Sequence, residues 1–468
     1  MQNYKQQFKG KKITVMGLGI LGRGLGYTKF LAECGADLIV TDLKSKEQLA
    51  SSLDALAKFK NIKFTIGKHK LEDFRNRDII MKMAGVPLDS IYIEEAQKTG
   101  ANIEMDVSLF IKSAPKTIVV GVTGTRGKSM TTMLIYEILK ANEKFLKKKV
   151  YLGGNIRGVA TLPLLKKVKA GDILVCELDS WQLQGFGEAK ISPHISVFTN
   201  LMPDHMNYYK NSMEDYFNDK ALIFKNQKAG DVLITSKDVK KLIQNSPSTL
   251  KGEGKGEVLN GKIILPDKKS VADFKFVVPG EHQRQNLAYA VEVAKQFKIP
   301  IEKIKKAVGG FGGVEGRLQY LRNYKGIKIY NDNNATTPEA TIAGIKALNK
   351  QALPVINRQG LLKRNNLVLI CGGADKKLDL TNFVKEVNKN CKAVSLIPGT
   401  GTDYLIKNYK LKVTNKIGKD LKEIVKNALG LAVRGDIILF SPAFASFGMF
   451  NNEYERNDLF MKIIKGLK

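Results

Sequence analysis

One stretch, residues 121–132 (GVTGTRGKSMTT), constrains what this chain can fold into more than any other. The β-branched run before it (117–122) predicts a short buried strand, and residues 130–139 after it are apolar at helical spacing. Glycines between a strand and a helix let backbone N–H groups approach phosphate oxygens, while the helix N-terminus adds partial positive charge. A glycine-rich turn without a ligand is the simpler alternative. The Lys-Ser pair that ends the turn favours a polyphosphate, so we predict an ATP site.

The loop is a short variant of the common phosphate-binding pattern. That pattern has a glycine five residues before Gly127, and Val122 stands there instead. In the G-T-x-G-K-[ST] form that is left, Lys128 can neutralise phosphate charge and the Ser129 hydroxyl can bind Mg²⁺. The residues expected to contact ATP are Gly124, Thr125, Arg126, Gly127, Lys128 and Ser129.

A second glycine pattern lies near the start of the chain. A predicted strand runs into Gly17-x-Gly19-x-x-Gly22, and the next predicted strand ends on Asp42, twenty residues beyond Gly22. This spacing is typical of dinucleotide-binding α/β domains. Alone it is a weak signal, because any tight turn from strand to helix can use these glycines.

Strand and helix patterns alternate along the whole chain. They predict three α/β domains with mostly parallel sheets: a Rossmann-like domain at 1–112, a central P-loop ATPase-type domain at 113–313, and a Rossmann-like domain at 314–468. A Gly/Lys-rich stretch, 251–262, reads as hairpin-like. In open parallel sheets, ligands bind at the carboxyl ends of the strands, where this chain has polar and glycine-rich loops.

The composition restricts the environment and the partners. The net charge of +31 permits nucleic-acid binding, but the lysines are dispersed rather than clustered, so we expect no nucleic-acid partner. Such a field steers anionic small substrates instead. No apolar run approaches the ~20 residues of a membrane span, and the N-terminus lacks a signal-type block. Four cysteines without CxxC spacing fit reduced thiols, so we expect a cytoplasmic protein. We also expect a monomer.

Four polar residues of the central block stand out by their position relative to the predicted elements. Glu177 ends a strand, where it either reaches a cation beside the ATP loop or faces solvent. His205 follows the strand after it, and His205 and His282 both fall in polar loops that suit ligand binding. Lys220 lies on the apolar stripe of a helix that Ser212 begins. Burial of an unpaired ammonium is expensive, so Lys220 either extends to solvent or is paired or chemically altered.

Several motifs in one order carry a family resemblance. They are GTRGKS, GGNIRG (153–158), ELDSWQL (177–183), NLMPDH (200–205), GEHQRQN (280–286), GVEGRLQ (313–319), NDNNATTPEA (331–340) and SPAFASFGMF (441–450). Together they resemble the Mur ligases, the ATP-dependent amino-acid ligases that build the peptidoglycan stem peptide. Within that family, the pattern is most similar to the members that add D-glutamate to UDP-N-acetylmuramoyl-L-alanine.

The resemblance implies a reaction and a catalytic centre. ATP phosphorylates the terminal carboxylate of the UDP-sugar substrate, and the amine of D-glutamate attacks the acyl phosphate. Lys128, His205 and Lys220 are the implied catalytic residues. Two Mg²⁺ ions are implied, one held by Ser129 and Glu177, the other served by His205 and by Lys220 as a carbamate. A carbamate would explain why a lysine lies on an apolar stripe.

The resemblance also assigns the substrate-binding residues. The UDP-substrate would be bound by Gly17, Gly19, Gly22, Asp42, Asn155 and Ser180, with no NAD expected. Beyond the loop, ATP would be held by Asn286, Arg317 and Asp332. D-Glutamate would be bound by Thr336, Lys376, Ser446 and Phe447; a dicarboxylate needs donors and a cation, which Lys376 supplies.

Four positions depart from the usual family pattern. Asn334 replaces a lysine, Gln283 replaces an asparagine, 83–87 (MAGVP) replaces Ser-Pro-Gly-Ile-Pro, and Asn457 replaces a glycine. These changes keep the reaction class but loosen the identity of the added amino acid. The Asp-Asn-Pro-Arg/Lys signature of the diamino-acid-adding relatives is absent from the sequence, which favours D-glutamate.

Three rival readings stay open at this point. The first is another Mur-type ligase, including folylpoly-γ-glutamate synthetase. The folate enzyme would not need the first, UDP-type domain, so the presence of that domain argues against it. A nicotinamide-dependent oxidoreductase built on the first glycine pattern would leave GTRGKS unexplained. A nucleic-acid-binding ATPase should cluster its basic residues among aromatic ones, as this chain does not.

Overall fold

The computed structural model describes residues 4–245, 261–349, 355–356, 362–363 and 365–467. The predicted hairpin-like stretch lies outside the described residues up to position 260. The chain divides into two compact units, Met1–Asp273 with Gln285–Val308, and Phe274–Arg284 with Gly309–Lys468. The predicted limits of the three domains stay a prediction.

The first sheet of the first unit has five parallel strands. In spatial order they are Ile62–Ile66, Asp37–Asp42, Lys12–Met16, Ile79–Lys82 and Asn102–Glu104. Apolar β-branched runs form the central strands, which are buried because helices cover both faces of a parallel sheet. Its helices are Tyr4–Phe8, Arg23–Glu33, Lys46–Leu56, Ile91–Lys98 and Asp106–Ser113, with a 3₁₀ turn at Leu71–Phe74.

The second sheet of this unit has six parallel strands. In spatial order they are Lys262–Ile264, Val232–Thr235, Ile195–Phe198, Ile118–Thr123, Ile173–Glu177 and Val150–Gly154. The strand before the ATP loop is central, so the loop opens at the middle of the sheet's carboxyl edge. Helices of this part are Lys128–Ala141, Glu143–Leu146, Ser180–Glu188, Met213–Lys225, Lys237–Asn245 and Ile301–Gly309, with 3₁₀ turns at Leu162–Lys166 and Lys268–Val271.

Asp106 joins the two sheets of the first unit. Its carboxylate is buried and accepts hydrogen bonds from the backbone N–H groups of Thr161 (2.7 Å) and Leu162 (2.8 Å). A continuous apolar cluster, which includes Phe30, Phe110 and Phe186, runs through the same region. The two parts of this unit are therefore packed together, and the hydrogen-bonded Asp106 carboxylate is buried at the contact between them.

Asp106→Ala should lower the free energy of unfolding by about 2–4 kcal/mol, because it leaves two buried N–H groups without an acceptor. Urea denaturation of the full chain measures the change. Asp54→Ala, an exposed position on helix Lys46–Leu56, is the control and should stay within about 0.5 kcal/mol. Equal urea denaturation midpoints for the two variants would show that Asp106 does not stabilise the contact between the two parts of the unit.

The second unit is built on a six-stranded sheet. In spatial order its strands are Gln319–Tyr324, Ile327–Asn331, Ile437–Phe440, Leu367–Gly372, Ala393–Ile397 and Thr414–Ile417, and only the first pair is antiparallel. Val355–Ile356 and Leu362–Lys363 form a small antiparallel pair. Its helices are Pro338–Asn349, Thr381–Asn390, Thr400–Asn408, Leu421–Leu431 and Glu453–Lys465. Apolar clusters cover both faces. Helix Glu281–Gln296 begins in this unit and ends in the first.

The predicted fold class is confirmed, since the sheets are mostly parallel and alternate with helices. The four cysteines are buried and free, as expected of reduced thiols. One local interpretation was wrong: His282 lies in the first turn of helix Glu281–Gln296, not in a loop. Among the described residues, no helix is long and apolar enough to cross a bilayer.

Candidate active site

The ATP loop is fixed by the residues that follow the neighbouring strand. Strand Ile118–Thr123 ends in the loop and helix Lys128–Ala141 leaves it, as predicted. The N–H of Thr125 donates to the carbonyl of Asn200 (2.9 Å), and the N–H of Arg126 donates to the Asn200 side chain (2.9 Å). The loop therefore has a set shape before any ligand arrives, which is what a phosphate cradle needs.

The loop glycines are required by close contacts as well as by their dihedral angles. Gly124 and Gly127 have φ angles of 139° and 83°, in the region that side chains avoid. A Cβ atom on Gly124 would lie 2.0 Å from Thr199 Oγ1, and one on Gly127 would lie 2.5 Å from Asn286 Oδ1. The structure thus places Asn286, a predicted ATP residue, directly against the loop.

Gly124→Ala should weaken ATP binding by about a hundredfold or more, because the added methyl group displaces Thr199 and reshapes the cradle. Calorimetric titration with ATP measures the affinity. Gly230→Ala is a matched control, since Gly230 also has a positive φ (96°) but nothing lies within 4 Å of the new Cβ. Unchanged ATP affinity in Gly124→Ala would contradict the assignment of this loop.

Two lysine side chains meet at one carbonyl oxygen of the loop. Lys128 Nζ donates to the Gly124 oxygen at 2.8 Å, and Lys220 Nζ donates to the same oxygen at 3.3 Å. Lys220 is only 1% exposed, so of the two alternatives that its position on the apolar stripe left open, extension to solvent is excluded. Burial, together with the positive charge of Lys128, lowers the pKa of Lys220 to about 7.

Aromatic rings connect Lys220 to His205. Lys220 Nζ lies 4.7 Å from the centre of the Tyr216 ring, and the His205 ring lies 6.5 Å from Tyr216 and 4.8 Å from Trp181. Asp204 lies beside His205, with 3.9 Å between Oδ2 and Nε2. The structure therefore gathers Lys128, His205 and Lys220 around the ATP loop, as their motifs implied.

Glu177 and Asn155 are brought together at the carboxyl edge of the second sheet. Glu177 ends its strand and is buried, and its backbone carbonyl accepts from the N–H of Asn155 (2.7 Å). Ser180 begins the helix that follows and is buried as well. Asn155, a predicted substrate residue, therefore lies against Glu177, a predicted metal ligand, in space. Ser180, the other predicted substrate residue, follows Glu177 closely in the chain.

Of the two predicted magnesium sites, the one served by His205 and Lys220 fits a cation only if Lys220 is modified. No group of three or more His, Cys, Asp or Glu side chains with metal-binding geometry occurs in the part of the chain that the structure describes. The predicted set is a hydroxyl, a carboxylate, an imidazole and a lysine, and an unmodified ammonium repels a cation. With a carbamate on Lys220 the set becomes the oxygen-rich one that Mg²⁺ prefers.

Asp42 shapes the first glycine loop. Its Oδ2 atom accepts from the N–H groups of Leu18 (2.8 Å) and Gly19 (2.9 Å), and its Oδ1 atom accepts from Lys44 N–H (2.8 Å). Gly17, Gly19 and Gly22 all have positive φ angles, and Met83 packs against Gly17 so closely that no Cβ would fit. Three of the predicted UDP-binding residues, the glycines, therefore lie in one loop that Asp42 holds in shape.

Sequence reasoning missed a buried polar network beside Lys220. Gln184 donates to Asp219 (2.9 Å) and to Tyr208 (3.2 Å), and Tyr209 donates to Asp219 (2.9 Å). Buried Lys82, from the first sheet, donates to the Gln184 side chain at 3.5 Å. Spacing along the chain gives no sign of this network, because its members come from four separate elements.

In the second unit, Asp332 lies within a hydrogen-bonded cluster. It accepts from Leu318 N–H (3.0 Å) and from the Ser441 hydroxyl (2.8 Å). Burial raises its pKa to about 7, while the charge of Arg317 acts in the opposite direction. Arg317 and Asp332, both predicted ATP residues, are therefore near each other within this unit.

The predicted D-glutamate residues also lie within the second unit. Lys376 Nζ donates to Thr336 Oγ1 at 3.1 Å. Burial and the charge of Arg456 lower the pKa of Lys376. Ser446 is buried, whereas the neighbouring Phe447 is 62% exposed. The structure brings Thr336 and Lys376 together, and their role in binding D-glutamate stays a prediction.

Comparison with known proteins agrees with this arrangement. Three family models match in order: the Mur ligase MurD-like N-terminal domain at 11–104, the Mur ligase middle domain at 122–294, and the Mur ligase glutamate ligase domain at 316–444. This chain is 34% identical to each of two relatives, over 98% of this chain and 99% of theirs. They are the UDP-N-acetylmuramoylalanine–D-glutamate ligases of Roseiflexus sp. (strain RS-1) and Borreliella burgdorferi (strain ZS7).

Solved structures share the fold at lower identity. UDP-N-acetylmuramate-alanine ligase MurC from Thermotoga maritima has a TM-score of 0.56 at 18% identity, covering 98% of this chain and 100% of its own. MurF ligase from Thermotoga maritima, in complex with ADP, also has a TM-score of 0.56, at 16% identity, covering 99% of this chain and 97% of its own. The chain belongs to the Mur ligase family.

Proposed function

We propose that this chain is an ATP-dependent ligase that joins the amine of D-glutamate to the alanyl carboxylate of UDP-N-acetylmuramoyl-L-alanine, in the synthesis of peptidoglycan precursors. The observation that carries the proposal is the 34% identity, over nearly the full length of both chains, to relatives named for this reaction. The products would be the extended nucleotide, ADP and phosphate, formed through an acyl phosphate. The proposed substrates are the reason to expect a cytoplasmic enzyme, and a monomer suffices because one chain carries every proposed site.

Phosphoryl transfer from ATP requires charge neutralisation around the γ-phosphate. Lys128 would turn from the Gly124 carbonyl to the phosphates, while the loop N–H groups bind phosphate oxygens. Asn286, against Gly127, would contact the nucleotide. Arg317 and Asp332 are the further residues that the family motifs assign to ATP. The loop residues Gly124, Thr125, Arg126, Gly127 and Ser129 complete this proposed site.

Lys220 would act as a carbamate. The ammonium would first lose one proton; the neutral amine would then add to CO₂, forming one N–C bond as a C=O π bond opens and releasing a second proton, so that a cation becomes an anion. Next to Lys128 this change replaces repulsion by attraction, and the surrounding burial favours the loss of the ammonium charge. Ser129 and Glu177 would hold one Mg²⁺, and His205 with the Lys220 carbamate would hold the other. Bound there, Mg²⁺ supplies Lewis-acid polarisation and neutralises phosphate charge.

The two remaining substrates would bind at separate places. The UDP-sugar would be held by Gly17, Gly19 and Gly22 together with Asn155 and Ser180, with Asp42 keeping the loop in shape. D-Glutamate would be held by Thr336, Lys376, Ser446 and Phe447, where Lys376 supplies the cation that a carboxylate needs. No NAD has a role in this scheme.

The second candidate is a Mur-type ligase for another amino acid, which the names of the curated relatives do not favour. Asn334 stands where the family pattern has a lysine, and its side chain accepts a hydrogen bond from Asn333 (3.2 Å) rather than presenting a charge. Asn457, the other unusual residue here, donates to Glu315 (2.6 Å) and accepts from Asn331 (2.8 Å). The altered charge lies near the predicted amino-acid residues, so the added amino acid must be tested directly.

The test is phosphate release from ATP in the presence of UDP-N-acetylmuramoyl-L-alanine, with D-glutamate, L-glutamate, L-lysine and meso-diaminopimelate offered in parallel. We expect release with D-glutamate alone. Phosphate release with another amino acid would support the second candidate, and the assignment of Thr336 and Lys376 to D-glutamate would have to be revised. No phosphate release with any of the four amino acids would contradict the assignment of UDP-N-acetylmuramoyl-L-alanine as the substrate.

A further inference from the structure

Arg23 bridges two loops of the proposed substrate site. It is the first residue of helix Arg23–Glu33 and directly follows Gly22, which has a φ of 84°. Its Nη2 atom donates to Asn155 Oδ1 at 2.6 Å. With the Gln182 amide turned so that its nitrogen donates to the Glu177 carbonyl (3.1 Å), the Gln182 oxygen accepts from Arg23 Nη1 at 3.2 Å.

The loops on either side of Arg23 touch each other. The carbonyl of Leu21 accepts from Gly158 N–H at 3.1 Å. A Cβ atom on Gly22 would lie 3.6 Å from the Gly158 Cα, and one on Gly26 would lie 2.7 Å from the Ala160 side chain. The first glycine loop and the loop that contains Asn155 therefore meet, and the guanidinium lies across their junction.

The charge of Arg23 is not matched by a carboxylate. Its side-chain partners are the neutral amides of Asn155 and Gln182, and its Nε atom is buried without a hydrogen-bond partner. Within the described ranges, no carboxylate oxygen lies within 4.0 Å of this guanidinium. Asp106 feels its charge, but the Asp106 oxygens are already engaged by two backbone N–H groups. An unmatched cation at a helix N-terminus, beside a glycine loop, is complementary to an anion.

We propose that Arg23 binds the diphosphate of the nucleotide-sugar substrate and so determines specificity for a UDP-linked acceptor. The inference rests on the proposed function, and it adds a residue that the motifs did not point to. The diphosphate is the better match than the alanyl carboxylate, because Arg23 follows directly on the loop whose N–H groups would bind phosphate oxygens. On binding, the diphosphate would share Arg23 with Asn155 and close the junction between the two loops.

The experiment compares UDP with uridine, which differ only by the diphosphate, in calorimetric titrations of the full chain. Arg23→Met should lower the affinity for UDP roughly tenfold or more and leave the affinity for uridine unchanged. Arg23→Lys keeps the charge but loses the planar guanidinium, so its affinity for UDP should lie between those of the wild type and of Arg23→Met. Lys29→Ala removes an exposed charge from the same helix and should bind UDP as the wild type does.

Three outcomes would overturn the inference. Equal losses for UDP and uridine would mean that Arg23 only maintains the loop. Unchanged UDP affinity in Arg23→Met would remove Arg23 from the phosphate site. Unchanged UDP affinity together with a raised KM for the full substrate would assign Arg23 to the alanyl carboxylate instead. Because UDP binding is read without turnover, failure of the wild type to ligate any amino acid would be a separate result.

Discussion

Replacing Lys220 by alanine is expected to reduce ligation by about a hundredfold to a thousandfold. The side chain is buried beside Lys128, where a carbamate would supply both an anionic partner and a metal ligand. Short-chain carboxylic acids such as acetate should restore part of the rate, because they place a carboxylate in the space that the shortened side chain leaves. Phosphate release in the presence and absence of acetate measures the effect.

Two control variants make the Lys220 result specific. Lys228→Ala removes an exposed lysine just beyond the same helix and should leave the rate unchanged. Lys220→Arg keeps a cation that cannot form a carbamate, so it should be as inactive as the alanine variant and should not respond to acetate. Full activity in Lys220→Arg would contradict the carbamate.

The pH dependence of the unmodified side chain follows from its pKa. Burial lowers the pKa of Lys220 to about 7 from an ordinary value of 10.5. Between these two pKa values the unfolded chain binds more protons than the folded one, so the free energy of unfolding rises with pH. The destabilisation caused by burying Lys220 is therefore full below pH 7 and decreases as the pH rises. Activation by bicarbonate should therefore be stronger at pH 8 than at pH 6.

The second large effect is expected for Lys128→Met, which keeps the length of the side chain and removes its charge. Loss of the cation at the phosphates should slow phosphate release by about a thousandfold, and carboxylic acids should not rescue it. The same change removes the repulsion that contributes to the low pKa of Lys220, so that pKa should rise toward its ordinary value. Single-turnover kinetics with ATP measure the rate.

Lys140→Met is the matched control for Lys128, since it changes an exposed lysine in the last turn of the same helix. We expect it to release phosphate at the wild-type rate. A Lys128→Met variant within tenfold of wild type would mean that the loop does not neutralise the transferring phosphate.

The parts of the site that could be predicted from sequence are those fixed by local spacing. Glycines at 124 and 127 between a strand and a helix determine the loop, and the helical period around Lys220 points that side chain inward. Both are consequences of backbone geometry within a few residues. They are therefore visible in a single sequence.

What could not be predicted depends on contacts between distant segments. Arg23 meets Asn155 across 132 positions, and Lys82 meets Gln184 across 102, with no periodicity that links them. Asp42, assigned to the UDP-substrate site, accepts hydrogen bonds from the backbone N–H groups of Leu18, Gly19 and Lys44, and its pairing with the glycine loop was not predicted. Such pairings are set by how the strands assemble into sheets, which local pattern does not specify.

The most direct test of the central claim is mass spectrometry of one complete reaction. The acceptor is UDP-N-acetylmuramoyl-L-alanine with ¹⁸O in both oxygens of its alanyl carboxylate, supplied with ATP and D-glutamate. An acyl phosphate requires one labelled oxygen to leave with the phosphate while the other stays in the new amide. We therefore predict singly labelled phosphate and a nucleotide that has gained one glutamyl residue and retains one ¹⁸O. Unlabelled phosphate, or no heavier nucleotide, would contradict the account.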